Sequence, residues 1–183
     1  MNAGESTTGE GNTYIGATAG SANTTGTWNI ALGTSSGSGV TSGTGNYNVN
    51  IGPNSGRYLS SGGYNIGIGT YTLRKNTTGN YNIAIGPSAL AVNTTAANNI
   101  AIGYESLTAN TTGTTNTALG YETLKTSTTS SGNTSIGYKS GKLVTGSDNT
   151  TLGTEAGDAL TTRSNNIILG HDAAASAVDV SNE

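Results

Sequence analysis

A five-residue pattern of polar and apolar positions recurs along the whole chain. It consists of Asn, two further residues, Ile or Leu, and then Gly. The residue two places before the Ile or Leu is Thr, Ile or Val, and a small residue usually lies between them. This alternation predicts a short β-strand with one buried face. The copies are Asn12–Gly16, Asn29–Gly33, Asn48–Gly52, Asn65–Gly69, Asn82–Gly86, Asn99–Gly103, Asn116–Gly120, Asn133–Gly137, Asn149–Gly153 and Asn166–Gly170.

The spacing of these copies predicts the fold. Successive anchor glycines are 17, 19, 17, 17, 17, 17, 17, 16 and 17 residues apart. A fixed period of this kind indicates stacked repeats. We expect an all-β, parallel β-solenoid (β-roll) of ten coils of about 17 residues over 12–170, with 1–11 and 171–183 as caps or junctions. The Asn side chains should stack in a ladder, the glycines should take positive φ, and the long coil should bulge between Thr41 and Gly45.

One covariation predicts the interior of the coils. Four residues after the anchor Gly, some coils have Leu and then a polar residue three places later (Leu73, Leu90, Leu107 and Leu124). Other coils have Gly at the first place and an aliphatic at the second (Val40, Leu59, Val144 and Leu160). A close-packed core tolerates neither a void nor a double filling, so we expect one pocket per coil, filled from either position. Gly20 with Asn23 breaks this rule.

Composition limits the partners and the chemistry. Only 32% of residues are hydrophobic and 9% charged, the net charge is −3, and there is no Cys. No basic patch for nucleic acid and no apolar run for membrane insertion is present. With His171 as the single histidine, we expect no enzyme activity, no catalytic or metal site and no cofactor. Because each coil has few aliphatic residues to bury, we expect a homo-oligomer.

Charged residues recur two places after the anchor Gly, at Glu105, Glu122, Lys139, Glu155 and Asp172. In a solenoid they would line one face, with Lys139 between Glu122 and Glu155 in a surface ion network of small energetic effect. A divalent cation between Glu105 and Glu122 is the alternative interpretation.

Aromatic residues form two expected ladders. Trp28, Tyr47, Tyr64 and Tyr81 each precede an anchor Asn, and Tyr104, Tyr121 and Tyr138 each follow an anchor Gly. One interpretation is stacking between coils that stabilises the solenoid. The other is a platform for cell-surface glycan, with Trp28, Tyr47, Tyr64 and Tyr81 as the candidate ligand-binding residues.

Pairs of threonines suggest a rival function. They recur at Thr24–Thr25, Thr77–Thr78, Thr94–Thr95, Thr111–Thr112 and Thr161–Thr162. A regular array of hydroxyls on a flat face could order water, so an ice-binding β-solenoid is the alternative function. A hydroxyl-lined turn is the structural interpretation of the same array.

The units NYNIAIGPSAL, NNIAIGYESL and NTTGTTNTALGYETL resemble the shaft repeats of phage tail fibres and tail spikes. They are also similar to the head repeats of trimeric autotransporter adhesins, although those repeats are shorter. The resemblance implies a homotrimeric fibre of a virion tail or a cell surface that mediates host or surface attachment alongside other fibre or virion proteins. Departures from the repeat consensus are the candidate receptor contacts: the Trp28 to Tyr81 ladder, the inserted loop from Thr41 to Gly45, and Arg74–Lys75.

Overall fold

The computed structural model describes residues 2–39 and 43–174 and confirms an all-β solenoid. Within these residues, ten strands of three residues each pair in parallel, in sequence order, in a single sheet, and nine turns connect them. No helix occurs in the described part of the chain. The strands are β1 (Thr13–Ile15), β2 (Ile30–Leu32), β3 (Val49–Ile51), β4 (Ile66–Ile68), β5 (Ile83–Ile85), β6 (Ile100–Ile102), β7 (Thr117–Leu119), β8 (Thr134–Ile136), β9 (Thr150–Leu152) and β10 (Ile167–Leu169).

The strands stack in the register that the repeat predicts. Ala84 of β5 pairs with Ala101 of β6, one repeat further along the chain. Around the longer coil, Val40, Thr41 and Ser42 lie outside the described residues, so that part of the expected bulge and the filling by Val40 are not described. Gly43 takes part in the bonding between coils, because its carbonyl accepts from the Thr24 N–H at 2.9 Å.

The predicted Asn ladder is confirmed over all ten anchor positions. The side-chain oxygen of each anchor Asn accepts from both the backbone N–H and the side-chain amide of the next anchor Asn. For Asn82 and Asn99 these distances are 3.0 and 3.2 Å. The Asn82 amide also donates to the Ala96 carbonyl at 2.8 Å. Each buried side chain therefore joins three successive coils.

The anchor glycines occupy a backbone conformation that other residues rarely adopt. Their φ values lie between 114° and 142°. At Gly103 a Cβ would lie 2.2 Å from the carbonyl oxygen of Gly120 in the next coil. Both the dihedral angle and the close stacking of the coils require glycine here.

The interior pocket is filled as the covariation predicts. Leu73, Leu90, Leu107 and Leu124 are fully buried, and so is Val144 in a coil that has Gly141 at the Leu position. These leucines have φ between 47° and 50°, and Gly141 has 57°, so the position is left-handed in both kinds of coil. Glycine adopts this conformation freely, whereas leucine does so at a cost that its burial offsets.

The first coil fills its pocket from a third position. Tyr14, the middle residue of β1, points inward, and its hydroxyl accepts from the Asn23 side-chain amide at 2.5 Å. A Cβ on Gly20 would lie 2.6 Å from the Tyr14 ring. The ring therefore takes the space that Leu fills elsewhere, which explains why Gly20 with Asn23 breaks the rule.

The buried face of the strands carries the small residues. The middle residues, such as Ala84, Ala101 and Ala118, are buried, because the narrow interior admits a methyl group beside the Leu column. The first and third residues of each strand point outward. Ile100 is 36% exposed and Leu119 is 43% exposed. The Ile and Leu columns that define the repeat thus form an outward apolar surface.

Residues at both ends continue the coil. At the N-terminus, Gly4 N–H donates to the Ala19 carbonyl at 2.9 Å and Thr8 N–H to the Thr24 carbonyl at 2.7 Å. At the C-terminus, Gly157 N–H donates to the Ala173 carbonyl at 2.7 Å. Both segments expected as caps or junctions are therefore joined to the solenoid by backbone hydrogen bonds.

Candidate functional site

The strongest surface feature is the outward side of the sheet. We define the outward face as the first and third residues of all ten strands together with two edge positions. The N-edge position lies two residues before each strand, as Tyr47 does for β3, and the C-edge position lies two residues after it, as Tyr104 does for β6. Among the described residues, every exposed large apolar side chain except Tyr71 and Leu143 lies in these four columns.

The two aromatic ladders border this face on opposite edges. On the N-edge, the ring centroids of Tyr47 and Tyr64 are 4.9 Å apart and those of Tyr64 and Tyr81 are 5.1 Å apart, with nearly parallel planes. On the C-edge, Tyr104, Tyr121 and Tyr138 are each separated by 5.2 Å. Stacking between coils, the first of our two interpretations, is therefore present among the tyrosines of both ladders.

This stacking restricts how the N-edge ladder could hold a glycan. Tyr64 has a neighbouring ring on each face, so a sugar would meet its edge and its hydroxyl instead of its face. Trp28 packs against Gly11 of the preceding coil, where a Cβ would lie 2.6 Å from the indole. The assignment of Trp28, Tyr47, Tyr64 and Tyr81 as glycan-binding residues stays a prediction.

The ion network differs from the simple column that the spacing suggests. Lys125 Nζ lies 2.6 Å from Glu105 Oε2 and 2.7 Å from Glu122 Oε1, so an ammonium group occupies the place proposed for a divalent cation. Glu122 also binds Lys142 at 2.8 Å, whereas Lys139 approaches Glu155 at 3.9 Å. Within the described residues, no group of three or more His, Cys, Asp or Glu side chains could hold a metal ion.

The lysines set the protonation of these carboxylates. Hydrogen bonds from Lys125 and then Lys142 lower the pKa of Glu122 to about 2. The hydrogen bond from Lys125 also lowers the pKa of Glu105. A site that cleaves glycans, the remaining functional alternative for Glu105 and Glu122, would need a general acid whose pKa is shifted in the opposite direction. His171, well exposed, has its Nδ1 3.1 Å from Asp172 Oδ2.

The hydroxyls of the threonine pairs are divided between two roles. In four of the five pairs the first threonine donates its hydroxyl to a carbonyl of the next coil, as Thr77 does to Thr94 at 3.0 Å and Thr94 to Thr111 at 3.1 Å. The second threonine, as at Thr78, is exposed. The pairs thus form the hydroxyl-lined turn, and one hydroxyl per pair faces solvent.

The basic residues named as receptor candidates lie beside tyrosines. The Arg74 guanidinium is 5.3 Å from the Tyr71 ring centroid and 5.9 Å from that of Tyr58. Arg57 is 5.3 Å from the same Tyr58 ring. These contacts hold the arginines against the coils, and a receptor role for Arg74–Lys75 stays a prediction.

These features define a parallel β-solenoid repeat protein with one extended apolar face. No family model, curated protein or solved structure matches the chain. The described residues include no helix long and apolar enough to cross a membrane. The resemblance to fibre and adhesin repeats therefore depends on the repeat motif itself.

Sequence reasoning missed two parts of this site. It identified the Ile and Leu columns as a strand signal but did not place them on the outside, where most of the exposed apolar surface lies. It also missed Lys125 as the partner of Glu105 and Glu122, although Lys125 lies only three residues after Glu122. That short spacing was an available signal.

Proposed function

We propose that this chain is the shaft of a homo-oligomeric, surface-displayed fibre that mediates host or surface attachment, in a phage tail fibre or a cell-surface adhesin. The outward apolar face carries the proposal. Monomeric proteins rarely expose a large contiguous apolar surface, and one of this extent is typical of a protein interface. A second and third copy of the chain are the partners that the fibre resemblance favours.

The size of the face supports burial between copies. Ten strands about 4.8 Å apart extend over about 43 Å. The two edge positions are six residues apart, which spans at most about 20 Å. The face therefore covers at most about 860 Å², comparable to the roughly 800 Å² that one partner contributes to a standard stable interface.

The core also argues for association. Small residues occupy most of the inward strand positions, so most aliphatic side chains of the strands remain outside the coil, as with Ile100 and Leu119. Burying them between copies would remove their apolar surface from water at about 25 cal/mol per Å². A fibre of stacked faces would gain this stabilisation in every coil.

The test is the mass of the purified chain in solution. Light scattering should give a multiple of 18.1 kDa, with a trimer expected. Ile68→Lys, on the outward face, should dissociate the oligomer, whereas Leu143→Lys, an exposed apolar residue outside it, should not. A folded monomer at micromolar concentration would contradict the proposal.

Attachment is tested separately from assembly. The labelled oligomer should bind bacterial cells or a glycan array, and Trp28→Ala and Tyr64→Ala should weaken that binding if the N-edge ladder holds a saccharide. If these variants instead dissociate the oligomer, the ladder is structural and the glycan assignment is wrong.

Ice binding is the second candidate, favoured by the exposed second threonines such as Thr78, Thr95 and Thr112. The first threonines of four pairs, Thr24, Thr77, Thr94 and Thr111, donate their hydroxyls to carbonyls, which leaves the second threonines as a single exposed column. Thermal hysteresis in the purified sample would support ice binding, and its absence together with an oligomer would favour the fibre.

A further inference from the structure

The edges of the outward face follow a rule that the fold of one chain does not require. Each of the seven successive strands β2–β8 has one aromatic residue at its edges, never two and never none. In β2–β5 the aromatic is at the N-edge, and the C-edge residue is Thr34, Pro53, Thr70 or Pro87. In β6–β8 the aromatic is at the C-edge, and the N-edge residue is Asn98, Thr115 or Gly132.

Contacts within one chain do not account for this alternation. Stacking joins each tyrosine to the coil above or below it on the same edge. The two edges of one strand are separated by the strand itself. An aromatic at one edge therefore has no steric reason, within a single chain, to exclude an aromatic at the other edge.

We propose that the N-edge of one chain packs against the C-edge of the next at the same strand, in a parallel, in-register, cyclic homo-oligomer. The proposal rests on the fibre assembly proposed above and specifies its geometry. When outward faces surround a common axis, the N-edge of each copy meets the C-edge of its neighbour at a corner. At each of the strands β2–β8, a corner then receives one aromatic and one smaller residue, which avoids both overpacking and a gap.

The same rule governs the interior of the coil, where one large side chain fills each pocket from alternative positions. Leu124 fills the pocket in one coil and Val144 fills it in the next. The corner of the oligomer would be a second pocket of this kind, shared between chains.

An antiparallel pair centred between β5 and β6 would also match large residues with small ones, but it conflicts with the charges. That arrangement would bring Asp148, the exposed N-edge residue of β9, against Trp28 of the other copy. The backbone N–H of Trp28 donates to the Glu10 backbone carbonyl, so the ionisable residue next to Trp28 would be a second acid, Glu10. A carboxylate buried beside an indole and a like charge is costly.

The parallel arrangement gives Asp148 better surroundings. It places Asp148 beside Thr154 of the next copy, one strand from Lys139. The Lys139 ammonium lies 4.9 Å from the Tyr138 ring centroid, at the C-edge of β8. A cation is therefore available at the corner where the carboxylate would lie.

The decisive variants move one aromatic across the face. Asn98→Tyr adds a second aromatic at β6, Tyr104→Thr removes the only one, and the double variant transfers it to the other edge. Tyrosine already occupies the N-edge conformation of Asn98, whose φ is 60°, at Tyr81 with φ 57°. Each single variant should weaken association about tenfold or more, and the double variant should restore it.

The direction in which Asn98→Tyr changes association distinguishes this proposal from stacking within one chain. The ring that Asn98→Tyr introduces would extend the ladder beyond Tyr81, so stacking alone predicts a more stable protein. If Asn98→Tyr leaves association unchanged or strengthens it, the edge rule is wrong.

Cysteine pairs test the direction, since the chain has no cysteine of its own. Asp148→Cys with Thr154→Cys should give a disulfide-linked oligomer on a non-reducing gel only if the copies are parallel and in register. Thr34→Cys with Thr154→Cys should cross-link instead if they are antiparallel, which would overturn the proposal. Light scattering of the parent chain distinguishes the two failures: a monomer contradicts the fibre assembly itself, and an oligomer without the expected cross-link contradicts only its geometry.

Discussion

Substituting both positions that line one interior pocket measures directly whether a single large side chain fills that pocket. Leu124 is fully buried with φ 49°, and Ser127, three residues later, is buried and hydrogen-bonded to Ser130. In the next coil the same two places hold Gly141 and the buried Val144. We predict that Leu124→Gly combined with Ser127→Leu converts the first arrangement into the second.

The magnitudes follow from the local structure. Leu124→Gly leaves a cavity and should cost about 3 kcal/mol, after allowance for the left-handed conformation that glycine adopts more easily. Ser127→Leu overfills the pocket and removes the Ser130 hydrogen bond, for about 2 kcal/mol. Together they should cost only about 2 kcal/mol, which corresponds to a coupling energy of about 3 kcal/mol.

Urea unfolding at one fixed protein concentration provides the four free energies of the cycle. The matched control combines Ser127→Leu with Leu73→Gly, which lies three coils away and about 14 Å along the axis. That pair should be additive within about 0.5 kcal/mol. Additivity in the Leu124 and Ser127 cycle would refute the idea that the two positions share one pocket.

Three further predictions concern the backbone ladder and the charges. Gly103→Ala should destabilise the protein far more than Gly170→Ala. Both glycines have φ above 120°, but a Cβ at Gly103 would lie 2.2 Å from the Gly120 oxygen, whereas a Cβ at Gly170 would lie 3.7 Å from the nearest atom. Thermal unfolding followed by circular dichroism measures the difference. Asn82→Asp should destabilise the protein at neutral pH, and the lost stability should return as the pH falls. The new carboxylate would face the Asn65 and Ala96 oxygens that now accept from the amide, and this repulsion raises the pKa of the carboxyl. If the parent chain gains stability in the same way at low pH, the prediction is wrong. The Glu122 carboxyl should titrate near its lowered pKa of about 2 in an NMR experiment. Its contribution to stability is therefore complete above about pH 4.5 and is lost as the pH falls toward 2. A titration midpoint near 4.5 would show that the contacts with Lys125 and Lys142 are absent.

The sequence by itself determined the repeat and most of what stacks along its axis. Parallel coils are joined by backbone hydrogen bonds in register, so a residue meets its counterpart one repeat away, and a linear spacing becomes a spatial contact. The Asn ladder, the glycine corners and the tyrosine stacks all follow from this translation. The sequence also predicted that Leu124 and Val144 fill equivalent pockets from different positions, because a pocket of fixed volume restricts the residue types at both positions of each coil.

Only the tertiary structure decided what happens across a coil. The sequence showed that the strands alternate, but it did not show that Ala84 points inward and Ile100 outward. That orientation depends on the path of the chain between strands, which is set by residues in the left-handed conformation and by glycines with φ above 110°. Tyr14 reached a pocket that the two-position rule had left empty. Lys125 bridged Glu105 and Glu122 because a long flexible side chain spans neighbouring coils, which positional spacing alone does not specify. These arrangements depend on dihedral angles and side-chain reach within the coil, whereas the linear repeat records only the translation between coils.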